Sequence, residues 1–235
     1  MTELLRSGRP VDTLFLASGD DDKQAGYYKA LAKESGAVIK YAHPDKLSEI
    51  CSDKRHQGMV AVGAIIEYTG IPDILSTAEQ RNEKPFVVMA DGMEDPHNLG
   101  AIIRTAEIVG AHGVVIPKRG SVQINVTVQR ASAGAVNTID IARVSNLAGA
   151  VRDMKKKGIF CYAAEPGGIS AYEVDLTGPI LLIIGSEGYG VSRLLRELSD
   201  DCIALPQRGK TGSLNASVAA GVLMYEIIRQ RTYRG

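Results

Sequence analysis

The sequence predicts an α/β fold in two parts: a small α/β domain over residues 1–72, a linker over 73–84, and a larger α/β domain over 85–235. Three observations lead there. Beyond residue 85, apolar runs of four to six residues alternate with helical stretches, the pattern of a mostly parallel sheet covered on both faces. Residues 67–84, EYTGIPDILSTAEQRNEK, mix Gly, Pro and charge and read as a linker with room for one helical turn. Late in the chain, the apolar runs 180–184 and 202–205 each end in loops of Gly, Ser, Glu and Asn, and the second loop feeds a long helix. Open α/β sheets hold ligands at such strand ends, so the crevice between these two loops is the first candidate site.

The elements follow in order. VDTLFLA (11–17) reads as a strand, 22–35 as a helix with an apolar face, and AVIKYA (37–42) as the next strand. Pro44 and Asp45 open a short helix, and polar 52–57 gives way to an apolar strand over 59–66. RHQG (55–58) admits two readings, a charged turn with Gly at an unusual backbone angle or a contact to an RNA phosphate. FVVMA then runs into the acidic loop DGMEDPHN, the helix LGAIIRTAEIVG and the returning strand HGVVIPK. Residues 121–139 begin β-branched and alternating, and RASAGA supplies small side chains for close packing. A helix over Asn146–Lys157 ends at Gly158; its Lys155, Lys156 and Lys157 suit a solvated helix C-terminus, with nucleic-acid contact as the alternative. IFCYAAE is a further strand before the two loops.

Composition bounds the function. At 45% apolar and 23% charged, the chain has the make-up of a soluble globular protein, and no apolar run reaches 18 residues without a charge. The first twenty residues lack an apolar core followed by a cleavage site, so secretion is not expected. Cys51, Cys161 and Cys202 are far apart and form no CxxC, which suits three thiols in a reducing cytoplasm. His43, His56, His97 and His112 show no metal-ligand spacing, so no metal is expected. Net charge is zero, with 11 basic and 13 acidic residues up to Lys84 and 16 basic and 14 acidic beyond it. A nucleic-acid partner would therefore need a local basic patch or a surface completed by a second subunit.

The glycine loops exclude two ligand classes. No strand is followed by GxGxxG, and GSEGYG (185–190) has the wrong order for a dinucleotide. RGKTGS (208–213) lacks the first Gly of a triphosphate loop, because Ala204 stands there. What remains is a pocket rich in backbone donors and acceptors, suited to an adenosine-type ligand without a triphosphate. Each polar residue there has a plain alternative. Asn98 stands where a helix N-cap would go, Glu187 could serve the first turn of a helix over 191–198, and capping accounts for Ser213 or Asn215 alone. Arg104 lies among Ile102, Ile103 and Ala106, where a buried guanidinium would need an anion; Glu107 at i+3 offers an intrahelical partner. Capping does not easily account for the polar pair, the preceding GKTG and a strand-end Glu converging on one crevice.

Three segments carry a resemblance: DPHNLGAIIRTAEIVGAHGVVI (95–116), LLIIGSEGYGVSRLL (181–195) and IALPQRGKTGSLNASVAAGVLMYEIIRQR (203–231). In order, spacing and strand context they resemble the three motifs of the SpoU or TrmH-type RNA ribose 2′-O-methyltransferases of the SPOUT superfamily. The N-terminal unit with RHQG is similar to the L30e-like RNA-binding domain of bacterial 23S rRNA guanosine-2′-O-methyltransferases. The resemblance implies a SPOUT α/β domain with a deep trefoil knot, S-adenosylmethionine held by the knot loops, and a homodimer whose paired domains build the site. By the same resemblance, Asn98, Arg104, Glu187, Ser213 and Asn215 are the catalytic-face residues. Gly185, Leu205 and Leu214, with Glu187, Ser213 and Asn215, hold the cofactor, and Arg55, His56 and Gln57 touch RNA.

The implied chemistry is methyl transfer to a ribose 2′-hydroxyl. That weak nucleophile must lose its proton or have its developing oxyanion stabilised. A guanidinium is a poor free base, so Arg104 is expected to act as an anion-stabilising clamp that relays the proton to an RNA phosphate. The separate N-terminal unit favours rRNA over tRNA. A non-catalytic RNA-binding or ribosome-assembly factor is the rival of another class, opposed by the intact Asn98, Arg104 and Glu187.

Overall fold

The computed structural model describes residues 11–18, 23–34, 37–51, 56–63, 65–210 and 212–233, and the chain divides between Glu67 and Tyr68. In the first unit, β1 (Val11–Ala17) is the central strand of three, parallel to β2 (Val38–Ala42) and antiparallel to β3 (Met59–Gly63). Side chains alternate across a strand, so β1 serves both faces of this sheet. Leu14 and Leu16 pack with Ala32 of α1 (Lys23–Glu34), and Ala17 and Val60 pack with Leu47 of α2 (Pro44–Cys51).

The stretch expected to be a linker is a helix of the larger unit. In α3 (Ile71–Gln80), the Gly70 N–H donates to Asp73 Oδ2 at 2.7 Å and Pro72 lies in the first turn. The Gly, Pro and acid that suggested a linker are thus helix-start signals. Ile74 and Ala78 are fully buried, and Ile74 shares a core with Val87 and Met89. Its partner is Gly113, where a Cβ would come within 2.5 Å of Ile74 Cδ1. The linker expected over 73–84 is therefore reduced to the turn between Gln80 and the first strand that follows.

That strand, β4 (Phe86–Asp91), lies in a six-stranded sheet with β5 (Gly113–Pro117), β6 (Asp140–Val144), β7 (Phe160–Ser170), β8 (Ile180–Gly185) and β9 (Asp201–Ala204). The order is β6-β5-β4-β8-β7-β9 and every pairing is parallel. The innermost pair is the most apolar: Phe86 to Ala90 and the whole of β8 are buried, as both faces of a central parallel strand require. From β4 the chain runs outward through β5 to β6, then returns to build the other half. The switch point thus falls between β4 and β8, and the loops at their carboxyl ends face each other there.

Helices cover this sheet. α4 (Pro96–Ile108) follows β4; α5 (Val126–Ala131), a 3-10 turn (Ala135–Asn137) and α6 (Leu147–Lys156) follow in turn; α7 (Arg193–Leu198) precedes β9, and α8 (Ala216–Thr232) ends the unit. The β-branched stretch after 121 is not a strand. Asn125 accepts from Val128 N at 3.0 Å and starts α5, whose Ala131 lies where a Cβ on Gly100 would approach to 2.5 Å. Tertiary packing overrides β-propensity here. Lys155 is not a free cation, since its Nζ lies 2.8 Å from both Asp200 and the Leu198 carbonyl. The last turns of α8 are tied back to the loop before β8: Gln230 accepts from Leu176 N at 2.9 Å, and Arg231 donates to Gly178 O at 2.6 Å.

His112, 2% exposed, accepts from Phe86 N at 3.0 Å through Nδ1, while its Nε2 lies 2.9 Å from Glu83. Burial outweighs the Glu83 carboxylate and lowers its pKa from the ordinary 6.5. The folded state therefore binds less proton than the unfolded chain: this contribution is complete above about pH 6.5 and is lost as pH falls towards the folded value. The melting temperature should drop between about pH 7.5 and about pH 5.5, and His112→Gln should shrink that drop in paired melts. An unchanged difference would remove His112 as a cause.

Cys161 and Cys202 are free thiols, and burial pushes Cys161 up to about 12. No described helix is long and apolar enough to cross a membrane.

Candidate functional site

A cavity of about 350 Å³ opens at the carboxyl ends of β8 and β9, with walls from Ile184 to Gly190, from Ile203 to Leu205, and from Ser213 and Leu214. Of the residues expected to hold a cofactor, Gly185, Glu187, Leu205, Ser213 and Leu214 line it. Asn215 does not, but it ties the site together.

Asn215 caps α8, its Oδ1 accepting from Ser217 N at 2.9 Å and Val218 N at 3.2 Å. With that oxygen committed, its Nδ2 must face the other way. It donates to Asn98 Oδ1 at 3.0 Å and, by a short bond, to Glu187 Oε1. Asn98 must in turn present its oxygen, which leaves its own Nδ2 buried with no partner among the described residues. The amide orientations are thus fixed by the cap, and three residues far apart in sequence become one chain of hydrogen bonds between α4, the loop after β8 and α8.

This geometry decides among the capping alternatives. Asp95, not Asn98, caps α4, accepting from His97 N at 2.9 Å with Pro96 next to it. Asn98 lies within the first turn and is 5% exposed, free to serve the site. Ser192 occupies the N-cap position of α7, so Glu187 is neither a cap nor a first-turn acid. Capping does account for Asn215, but only through its oxygen.

Arg104 differs from expectation. It is exposed, while Ile102, Ile103 and Ala106 turn inward, because the helical period sends position 104 to the opposite face. Glu107 is exposed as well, and no ion pair joins the two. The guanidinium has no partner among the described residues.

Gly185 allows a close approach, but of the protein's own chain. A Cβ there would lie 1.9 Å from the carbonyl carbon of Gly190 and 2.1 Å from Val191 N. The loop after β8 folds directly onto its own stem, closed by Gly190 N donating to Ser186 O at 2.9 Å.

Sequence reasoning missed two carboxylates. Glu165, on β7, lines the cavity and accepts from Val191 N, and Asp91, at the end of β4, accepts from Ser192 N. An acidic residue closing an apolar strand was the available signal for Asp91. Glu165 had none, because its partner lies 26 positions away.

In the first unit, Arg55 lies outside the described residues. His56 accepts from Gly58 N at 3.1 Å and lies 3.1 Å from Ser48 Oγ, so its ring is held internally, and Gln57 is exposed. Gln57 and Gly58 have φ of 50° and 76°, the turn geometry that the glycine suggested. Among the described residues, no group of three or more His, Cys, Asp or Glu could hold a metal ion.

Comparison with known proteins agrees with this layout. The SpoU rRNA Methylase family matches residues 85–225, and the RNA 2′-O ribose methyltransferase substrate-binding family matches residues 1–69. The chain is 45% identical to the TrmH-family protein YacO of Bacillus subtilis, over 97% of this chain and 92% of that one. The SpoU methyltransferase AviRb from Streptomyces viridochromogenes, solved in complex with AdoMet, aligns with 98% of this chain and 87% of its own. Its TM-score is 0.63 at 27% identity. The A. aeolicus TrmH/SpoU tRNA modifying enzyme aligns with 63% of this chain and 76% of its own, with a TM-score of 0.58 at 32% identity.

Proposed function

This chain belongs to the SpoU rRNA methylase family and is an S-adenosylmethionine-dependent RNA ribose 2′-O-methyltransferase; we propose that its target is a guanosine of 23S rRNA. The observation that carries the reading is the hydrogen-bonded set Asn98–Asn215–Glu187 beside the cavity at the carboxyl ends of β8 and β9. The cavity fits the cofactor. Its apolar and glycine-backbone walls suit an adenosine, and the Glu187 carboxylate suits a ligand carrying a sulfonium and an ammonium. When bound, S-adenosylmethionine supplies an electrophilic methyl carbon with a neutral leaving group.

The protein's own residues do the rest. Arg104, exposed and without a partner among the described residues, is positioned on α4 to take an RNA phosphate and stabilise charge developing on the 2′-oxygen. The proton passes to that phosphate, with the guanidinium acting as a clamp rather than a base. The Asn98 Nδ2 donor, buried and without a partner among the described residues, needs an acceptor, which substrate or cofactor would supply. Glu187 is held in place by Asn215, and Ser213, Leu205 and Leu214 shape the cavity. Arg55, His56 and Gln57 of the N-terminal unit contribute to RNA capture, with His56 acting through the turn it holds.

The reading carries a deep trefoil knot around the cofactor loops, a homodimer and a cytoplasmic location. Pairing is supported by an apolar face that α8 leaves open: Val218, Val222 and Tyr225 are exposed at helical spacing, with exposed Ile108 on α4, the helix that meets α8 where Thr105 approaches Gly221. A second subunit seated there would lie beside the helix that carries Arg104. A tRNA ribose is the second reading, favoured by the likeness of 63% of the chain to a tRNA modifying enzyme.

The test incubates the full chain and methyl-labelled donor with either deproteinised 23S rRNA or bulk tRNA, then digests the RNA to nucleosides. Label in 2′-O-methylguanosine from 23S rRNA is expected, and calorimetry without RNA should show one donor site per subunit. Label confined to tRNA moves the target. Label in a base, or none with either RNA, overturns the reading.

A further inference from the structure

Glu187 and Tyr189 are carried at the tip of a loop, Ser186 to Ser192, that joins β8 to α7. The strands on either side of β8 are β4 and β7. Each sends one carboxylate to the end of this loop, and the two accept consecutive backbone N–H groups. Asp91 Oδ2 accepts from Ser192 N at 2.7 Å, and Glu165 Oε1 accepts from Val191 N at 2.5 Å. Val191 is 1% exposed, so its N–H has no recourse to water if Glu165 is withdrawn.

Glu165 reaches the loop because β7 bulges beside it. Its register against β9 slips between Ala164 and Ile169, and Gly167 adopts φ 83°. A bulge re-aims the side chains next to it. The Glu165 side chain is 13% exposed, with Arg196 Nη1 3.6 Å from its second oxygen. The fit is close on the loop side too, since a Cβ on Gly190 would lie 2.6 Å from Glu165 Oε1.

We propose that Asp91 and Glu165 are positioning residues for methyl transfer, a two-sided clamp that fixes the loop before the donor arrives. They act through the backbone of Val191 and Ser192: by holding the end of the loop they set the cavity wall from Gly185 to Gly190 and the point from which Glu187 meets Asn215. Neither carboxylate contacts the reacting atoms. A preorganised loop costs the donor no ordering entropy on binding, so the clamp acts on affinity first. The proposal rests on the methyltransferase reading above.

The experiment titrates the full chain calorimetrically with S-adenosylmethionine and with S-adenosylhomocysteine, alongside thermal melts and single-turnover methyl transfer at saturating donor. Glu165→Gln and Asp91→Asn keep an acceptor oxygen and should bind donor within about threefold of the native chain. Glu165→Ala and Asp91→Ala should bind about tenfold more weakly, with the saturated rate restored to within about threefold. Ser192→Pro tests the other half of the bond and guards against an unfolded alanine variant. Residue 192 has φ −57°, which proline adopts, so this change deletes the donor and leaves both carboxylates intact. It should weaken donor binding about fivefold.

Native affinity in Glu165→Ala and Ser192→Pro would overturn the clamp. So would a loss in Glu165→Gln as large as in Glu165→Ala and greater for the sulfonium ligand than for its neutral product, which would make Glu165 a direct charge contact. A native chain that binds neither ligand would instead sink the methyltransferase reading.

Discussion

Replacing Gly185 with valine is expected to weaken S-adenosylmethionine binding by roughly a hundredfold, because the site of the new Cβ already belongs to the main chain. A Cβ there would lie 1.9 Å from Gly190 C, 2.1 Å from Gly190 O and 2.1 Å from Val191 N. No rotamer relieves a contact that begins at Cβ, so the loop itself must move. When it moves, it takes the cavity wall and Glu187 with it and breaks the bonds of Val191 N and Ser192 N to Glu165 and Asp91. Gly63→Val is the control, since a Cβ at Gly63 meets nothing within 4 Å and Gly63 does not line the cavity. Calorimetry on the two variants, with melting curves to confirm folding, makes the comparison. Equal affinities would show that loop closure on Gly185 is not what forms the cavity.

Arg104→Lys should bind donor as the native chain does and melt at the same temperature, yet transfer methyl at least about tenfold more slowly in a single turnover, roughly 1.4 kcal/mol of transition-state stabilisation. Lysine keeps the charge but loses the planar fork of donors that can grip a phosphate and the 2′-oxygen together. Arg104→Ala, which loses the charge as well, should fall by about a hundredfold. Stability is expected to stay level because Arg104 is exposed and pairs with nothing among the described residues. A quenched-flow rate at saturating donor and RNA separates the roles. Near-native transfer in Arg104→Ala would remove Arg104 from the chemistry and leave Asn98 and Glu187 as the candidates.

These two residues illustrate what a sequence discloses and what it conceals. Gly185 was legible as a place where backbone comes close. That its own loop, and not a ligand, fills the space follows only from the turn between Ser186 and Gly190. Arg104 was legible as a cation that needed explaining. Its apolar neighbours suggested burial, but neighbours in a helix sequence are not neighbours on its surface, and the period sends Arg104 outward. A capping role for Asn98 stayed open in the sequence, and Asp95 and Pro96, three and two positions earlier, take that role in the structure.

By itself, the sequence determined the alternation of strands and helices beyond residue 85, the smaller α/β unit before it, and the crevice between the last two loops. Each of these depends on local periodicity or on glycine and capping chemistry, which act over a few residues. Tertiary structure decided whatever depends on partners distant in sequence. Residues 71–80 became a packed helix because Ile74 finds the bare backbone of Gly113. Asn215 joins Asn98 across 117 positions. Asp91 and Glu165 grip one loop because strand order β4-β8-β7 places their ends on either side of it. A hydrogen bond leaves no periodic mark on a sequence when its donor and acceptor are brought together only by the order of strands in a sheet.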